Sequence, residues 1–190
     1  MTITEDRYRM LLGASSALAD QPTVKAVLQS LRGVLSSTSR LHGAELFVLS
    51  DDGDSLTSFE FDRDPDAPAI KRGAKLLLAG LVAQVLDEQK PVFVRDLSLT
   101  MLEHPDMASF AAEVAGRSAY LFPVSTAQKR YGILSTPKLQ GQQFAPEDVE
   151  MLSALASHVA VALECALARD NAELYHREVV KQRDLSLIHI

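Results

Sequence analysis

Apolar and polar positions along the chain change period several times, and each change marks an element. Residues 6–20 carry Tyr8, Leu11, Leu12, Leu18 and Ala19 at helical spacing, and Asp20-Gln21-Pro22 stops the run. Thr23 is placed to cap a second helix, whose stripe is Val24, Val27, Leu28, Leu31, Val34 and Leu35. The period then shortens. Residues 44–49 (AELFVL) read as a strand, 50–54 (SDDGD) as a turn, and 56–61 (LTSFEF) as the returning strand, with Phe59 and Phe61 on one face. Residues 62–73, with two prolines, read as a loop, and 74–89 as a helix with the stripe Leu77, Leu78, Leu81, Val82, Val85 and Leu86. Pro91 opens a short strand to Val94, 96–105 is loop, and 106–115 a short helix stopped by Gly116. Residues 118–124 and 130–136 are strands joined by the turn 126–129. Pro146, followed by Glu147 and Asp148, suits the first turn of a long helix. Its stripe runs Val149, Leu152, Leu155, Ala156, Val159, Leu163, Ala166 and Leu167, and helical composition persists to Asp184. The order α-α-β-β-α-β-α-β-β-α predicts an α+β fold, with a central antiparallel sheet of five to six strands, helices packed on it and a long C-terminal helix.

Composition narrows the function more than the fold. The chain has 190 residues, is 47% hydrophobic and carries a net charge of −6. That balance fits a globular domain and not a disordered one, and it argues against a surface that itself grips nucleic acid. The N-terminal decapeptide is polar, and the sequence shows no apolar run near the ~20 residues of a membrane span, so the expectation is a cytoplasmic protein without membrane contact. One cysteine excludes a disulfide framework. Phosphate-binding loops, nucleophile elbows, H-E-x-x-H and C-x-x-C are all absent, so no catalytic residue, metal site or cofactor is assigned, and the chain is not expected to be an enzyme. Asp51, Asp52, Asp54, Asp62, Asp64 and Asp66 are acidic but lack calcium-loop spacing, and a solvated turn is the default.

The segment RYGILST…FAPEDVEMLSALASHVAVALECALA, residues 130–168, resembles the GAF family of small-molecule sensory domains. Gly132, Phe144, Glu147, Asp148, Leu152, Ala156, Val159, Ala160 and Ala162 stand where the family shows a glycine-bearing strand and its closing helix, and Cys165 stands where asparagine is common. SAYLFPVS and PVFVRDL match two further strands of the family, and the resemblance spans roughly residues 6–170. In detail it is most similar to the N-terminal GAF domain of formate-hydrogenlyase-activator-type, sigma-54-dependent transcription regulators. NAELYHREVVKQRDL, residues 171–185, resembles the helical linker that follows that domain.

The resemblance implies a GAF sensory domain over residues 1–170, a helical linker over 171–184 and a downstream output domain. Residues 185–190, LSLIHI, read as the translation of a library adapter and are expected to be a non-native tail. The implied function is small-molecule sensing that reaches the output through the C-terminal helix. Sigma-54 RNA polymerase and DNA would be met only by parent domains. Alternatives are the sensor region of a histidine kinase or other signalling protein, as in a two-component system, a binding-silent dimerisation module, and a free-standing GAF-fold methionine-sulfoxide reductase.

The family pocket lies between one sheet face and its covering helices and loops, here supplied by residues 62–115. The implied lining of an unknown small-molecule effector is Phe47, Phe59, Phe61, Leu102, His104, Met107, Phe110, Tyr120 and Phe122, with Arg95 and Arg117 at its mouth for an anion such as formate. Core packing competes with that role at every aromatic position. Cys165 is expected to be a small buried residue of a helix interface. A homodimer is implied, with Leu152, Leu155, Val159, Leu163 and Leu167 serving both the core and the dimer and signalling seam.

Overall fold

A computed structural model describes residues 3–36, 44–61, 71–77, 80–96, 117–139 and 144–187. Helix α1 (Ile3–Leu18) ends at Asp20, whose φ of 61° is a left-handed stop, and Gln21 Nε2 donates back to the Ala17 carbonyl at 2.6 Å. Helix α2 (Val24–Ser36) begins where expected: the Thr23 hydroxyl accepts from the Ala26 amide at 3.2 Å. Strands β1 (Ala44–Leu49) and β2 (Ser55–Phe61) form the hairpin, closed by a Ser50 amide to Ser55 carbonyl bond of 2.8 Å.

The chain departs from expectation next. Residues 71–77 form strand β3 (Lys71–Leu77) on the free edge of β2, and helix α3 is confined to Gly80–Glu88. A short apolar run fits either period, so Leu76 and Leu77 do not by themselves distinguish helix from strand. Gly80 decides: its φ of 57° turns the chain, and a helix from residue 74 cannot pass through it. Strands β4 (Val92–Val94), β5 (Arg117–Ser125) and β6 (Arg130–Leu139) and helix α4 (Pro146–Leu187) complete the fold. The expected helix at 106–115 lies outside the described residues.

The six strands run in the order β3-β2-β1-β6-β5-β4, every neighbouring pair antiparallel. The sheet has two unequal faces. On one, α1, α2 and α4 pack as a layer, burying Leu18, Leu31, Leu46, Phe122, Leu134 and Leu155 in the main core. On the other, α3 covers a smaller cluster of Phe47, Leu56, Val94, Ala119, Leu121 and Ile133 with Val85 and Leu86.

Part of α4 is apolar and long enough to cross a membrane by composition alone, with a mean hydropathy of 1.7, but half of that stretch is buried in the domain. Its buried apolar side chains are those of the core stripe. Where α4 passes the α1–α2 turn, the Arg169 guanidinium donates to the Asp20 carbonyl at 3.2 Å and pairs with the Asp20 carboxylate at 3.5 Å. That pair is exposed and adds little stability.

Candidate functional site

Among the described residues, the α3-covered face of the sheet is the one not occupied by the main helical layer. Alternation decides which side chains reach it. The register Phe47↔Ser58 and Phe47↔Ile133 places those three in one row, and Glu45↔Ser135↔Leu121 in the next. Ser58 and Ser135 are buried and Glu45 is half-buried. The row therefore sets two hydroxyls and a carboxylate beside Phe47, Ile133 and Leu121. Apolar walls with a few polar groups are what a small organic ligand needs.

Helix α3 is held over one end of this face. Arg130 pairs with Asp87 at 2.6 Å, and the Ser125 hydroxyl donates to the Gln89 side chain, so the helix C-terminus sits at the β5–β6 turn. The opposite end carries Arg95, just after β4, and Arg117, at the start of β5. Both are exposed, and the pairing Val94↔Ala119 brings them to one corner of the sheet. The expected cations are thus gathered at one edge.

The expected aromatic lining is divided. Phe47 faces α3. Phe59, Phe61, Tyr120 and Phe122 do not: the pairs Leu46↔Phe59, Ala44↔Phe61 and Leu134↔Phe122 put them on the other face, in or against the main core. Tyr120 stacks there with Phe122 (5.7 Å between centroids) and meets Phe144 edge-on at 4.9 Å. Leu102, His104, Met107 and Phe110 lie outside the described residues. Glu45, Ser58, Ser135, Leu121 and Ile133 share this face with Phe47 and are candidate residues absent from the expected lining. The signal was present in the alternation of LTSFEF: once Phe59 and Phe61 share a face, Ser58 belongs to the opposite one.

The apolar stripe of the C-terminal helix takes the core role expected of it. Leu152, Leu155, Val159 and Leu163 are fully buried in the chain's own core, and Leu167 is packed against it. The sheet, α1 and α2 cover that stripe, with Leu167 half-buried at its end. Cys165 is exposed rather than buried, because it projects from the other side of α4. His158 is half-buried and His176 exposed, while His42 lies outside the described residues. The Asp51–Asp54 turn closes on itself, with the Asp52 carboxylate accepting from the Ser50 hydroxyl and the Asp54 amide, and no metal-holding group of His, Cys, Asp or Glu occurs among the described residues.

One titratable group links the sheet to α4. Gly132, at φ 151°, and a register shift between Val124 and Ser125 break the alternation of β6, so that Tyr131 joins the helix-face core beside Glu164. Burial first, then the hydrogen bond and negative charge of Glu164, push the Tyr131 phenol up to about 12. The folded value lies above the ordinary 10.0, so this contribution to stability is complete below pH 10 and is lost as pH rises from there through 12. An ultraviolet titration, with Tyr131→Phe subtracted to isolate the residue, is expected to show the late phenolate, and Glu164→Gln to move it back toward 10.0.

The GAF domain family profile matches residues 22–164. Solved structures share the fold. The GAF domain of a phosphoenolpyruvate-protein phosphotransferase from Coxiella burnetii aligns with a TM-score of 0.68 at 18% identity, over 90% of this chain and 99% of that one. Free methionine-R-sulfoxide reductase from Neisseria meningitidis aligns with 0.61 at 19% identity, over 88% and 94%. The GAF domain of a two-component sensor histidine kinase from Bacillus halodurans aligns with 0.57 at 18% identity, over 82% and 99%. No curated protein matches the sequence.

Proposed function

Because this chain belongs to the GAF domain family of regulatory, sensory domains, we propose that it senses a small molecule on the α3-covered face of its sheet and passes the signal on through α4. The observation that carries this reading is the division of the sheet. The helix-layer face is filled by the main core, while the other face sets Glu45, Ser58 and Ser135 among apolar walls. Input and output then sit on opposite faces of one sheet. Strands β5 and β6 are shared between them, since Leu121 and Ile133 face the site while Phe122 and Leu134 face the helical layer. Helix α4 packs on both of these strands. A ligand that shifts β5 against β6 by a fraction of an ångström shifts the seat of α4.

The parent that the sequence favours is a cytoplasmic sigma-54-dependent transcriptional activator. Its ATPase and DNA-binding work would lie in other domains. Sequencing the source DNA beyond codon 184 tests this assignment: an ATPase module and a helix-turn-helix support it, and a kinase module replaces it with the histidine-kinase reading. We assign the domain no reaction of its own. A thiol reductase needs thiols at its substrate, and Cys165 projects from α4, across the sheet from the α3-covered face.

The sensing role is tested by thermal melting with a panel of formate, cyclic AMP, cyclic GMP and free methionine sulfoxide. A binder at 100 times its Kd raises stability by about 2.7 kcal/mol, which for a domain this size is roughly 5–10 °C. A binder is expected to lose that shift in Ser135→Leu, which fills the site, and to keep it in Cys165→Ala. A panel that gives no shift at millimolar concentrations supports the binding-silent dimerisation module instead.

A further inference from the structure

The turn between β5 and β6 is tied on both of its sides. Ser125 and Arg130 are partners across the hairpin, and both reach the C-terminal end of α3. The Ser125 hydroxyl donates to the Gln89 side chain, and the Arg130 guanidinium pairs with Asp87 at 2.6 Å. The residues that follow these two, Thr126 and Tyr131, reach α4 instead. The Thr126 hydroxyl donates to Glu164 Oε1 at 3.4 Å, and the Tyr131 phenol donates to the same carboxylate. Strict alternation would send Tyr131 to the α3 face with Ile133. The register shift between Val124 and Ser125 adds one residue and re-aims Tyr131 to α4. The tip itself is closed by a Thr126 amide to Lys129 carbonyl bond of 2.9 Å, and the Thr126 hydroxyl accepts from the Lys129 amide, so it moves as one piece.

We propose that this turn is a coupling piece, which carries a displacement of α3 to α4 at Glu164 through side-chain ties. Helix α3 is built to be displaced as a unit. It starts at Gly80 with a φ of 57° and is followed by Gln89 with a φ of 56°. Gln89 has a left-handed backbone that a non-glycine residue adopts at a cost. Its side chain pays back part of that cost by donating to the Leu86 carbonyl and accepting from Ser125. The cap of α3 is thus completed by the turn. The Arg130–Asp87 pair is exposed and adds little stability, but with Ser125–Gln89 it fixes α3 to the turn at two points, which transmits rotation as well as translation. At the far side, Glu164 lies between Leu163 and Ala166, both completely buried. A pull there acts on the seated part of α4, shortly before the helix becomes exposed from Asn171 to Val179. The coupling rests on the sensing role for what moves α3, and is itself a property of the free protein, reciprocal between the two helices.

Amide hydrogen exchange on the ligand-free protein tests the coupling in both directions. Thr126→Val with Tyr131→Phe removes the two hydroxyls on the α4 side and keeps the side-chain shapes. The Gln89 amide, bonded to the Val85 carbonyl at 3.0 Å, is then expected to exchange about fivefold faster, the low end of coupling between two sites. The amides of α2 are expected to be unchanged. Thr126→Ser alone keeps both hydroxyls and is expected to leave the Gln89 amide at its wild-type rate. In the other direction, Asp87→Ala with Ser125→Ala cuts the α3 side and is expected to speed exchange at residues 163–166 of α4, also about fivefold. No change at either reading overturns the coupling and leaves the strands as the route to α4. A change in one direction only overturns it too, because coupling is reciprocal. An equal rise in every helix gives the ties a role in stability alone and overturns it as well. Each result holds whether or not the melting panel finds a binder, so failure of the turn and failure of the sensing role are told apart.

Discussion

Gly132→Ala is expected to remove a large share of this domain's margin of stability. A β-carbon built on Gly132 would lie 1.8 Å from the Phe47 carbonyl oxygen and 2.9 Å from its carbonyl carbon. Both are backbone atoms of β1, the strand paired with β6 at Phe47↔Ile133 and Val48↔Gly132. No side chain can swing aside to relieve the contact. Two central strands of the sheet would have to part, and both faces depend on that junction. Overpacking of this kind costs about 1–3 kcal/mol or more, and alanine at the φ of 151° costs about 1–3 kcal/mol on its own. A sum of about 4 kcal/mol removes a large share of the 5–15 kcal/mol typical of a domain. It lowers Tm by roughly 12 °C at ~3 °C per kcal/mol. Gly53→Ala is the control. Gly53 also has a positive φ, 78°, but its surroundings are open within 4 Å, so only the backbone cost of about 1–2 kcal/mol applies. Calorimetry on the two variants separates the close approach from the conformational preference. Equal losses would show that the β1–β6 junction tolerates a methyl group.

Phe122→Ala is expected to cost about 3–5 kcal/mol, the usual range for deleting a buried phenylalanine side chain. Phe122 is completely buried, at the centre of β5 on the helical face, and stacks against Tyr120. The cavity would open beneath the helical layer, against a packed sheet that cannot easily collapse. Phe93→Ala removes the same ring from a site 42% exposed, 5.1 Å from Tyr120 at the sheet edge, and is expected to cost about 1 kcal/mol or less. Chemical denaturation reads both. A small loss for Phe122→Ala would mean that its ring lines a space already open to a ligand or to solvent, which was its first assigned role.

These two positions show how much the sequence made legible. The α+β class, the hairpins, the Thr23 cap and the start of α4 at Pro146 are local matters of periodicity and end chemistry, and each is where the residues place it. Strand β3 was not legible because KRGAKLL has no strand alternation of its own. It is a strand because β2 presents a free edge to it, a tertiary cause that no window of residues contains. The division of the aromatics was half legible. Alternation assigns Phe59 and Phe61 to one face, but which face holds the main core depends on where α1, α2 and α4 pack. For α4 the apolar stripe was legible, and Leu152, Leu155, Val159 and Leu163 lie in the core as expected.

The central claim is that ligand entry and signal exit occupy opposite faces of one sheet. Ile133 and Leu134 are adjacent in β6, both fully buried, and point to opposite faces. Methyl resonances of these two residues, followed while each compound of the melting panel is titrated in, test the claim directly. A saturable shift is expected at Ile133 with the same midpoint as the stabilisation seen by melting, preceding or exceeding any change at Leu134. A saturable shift centred on Leu134 and the helical layer, with Ile133 unmoved, would contradict it.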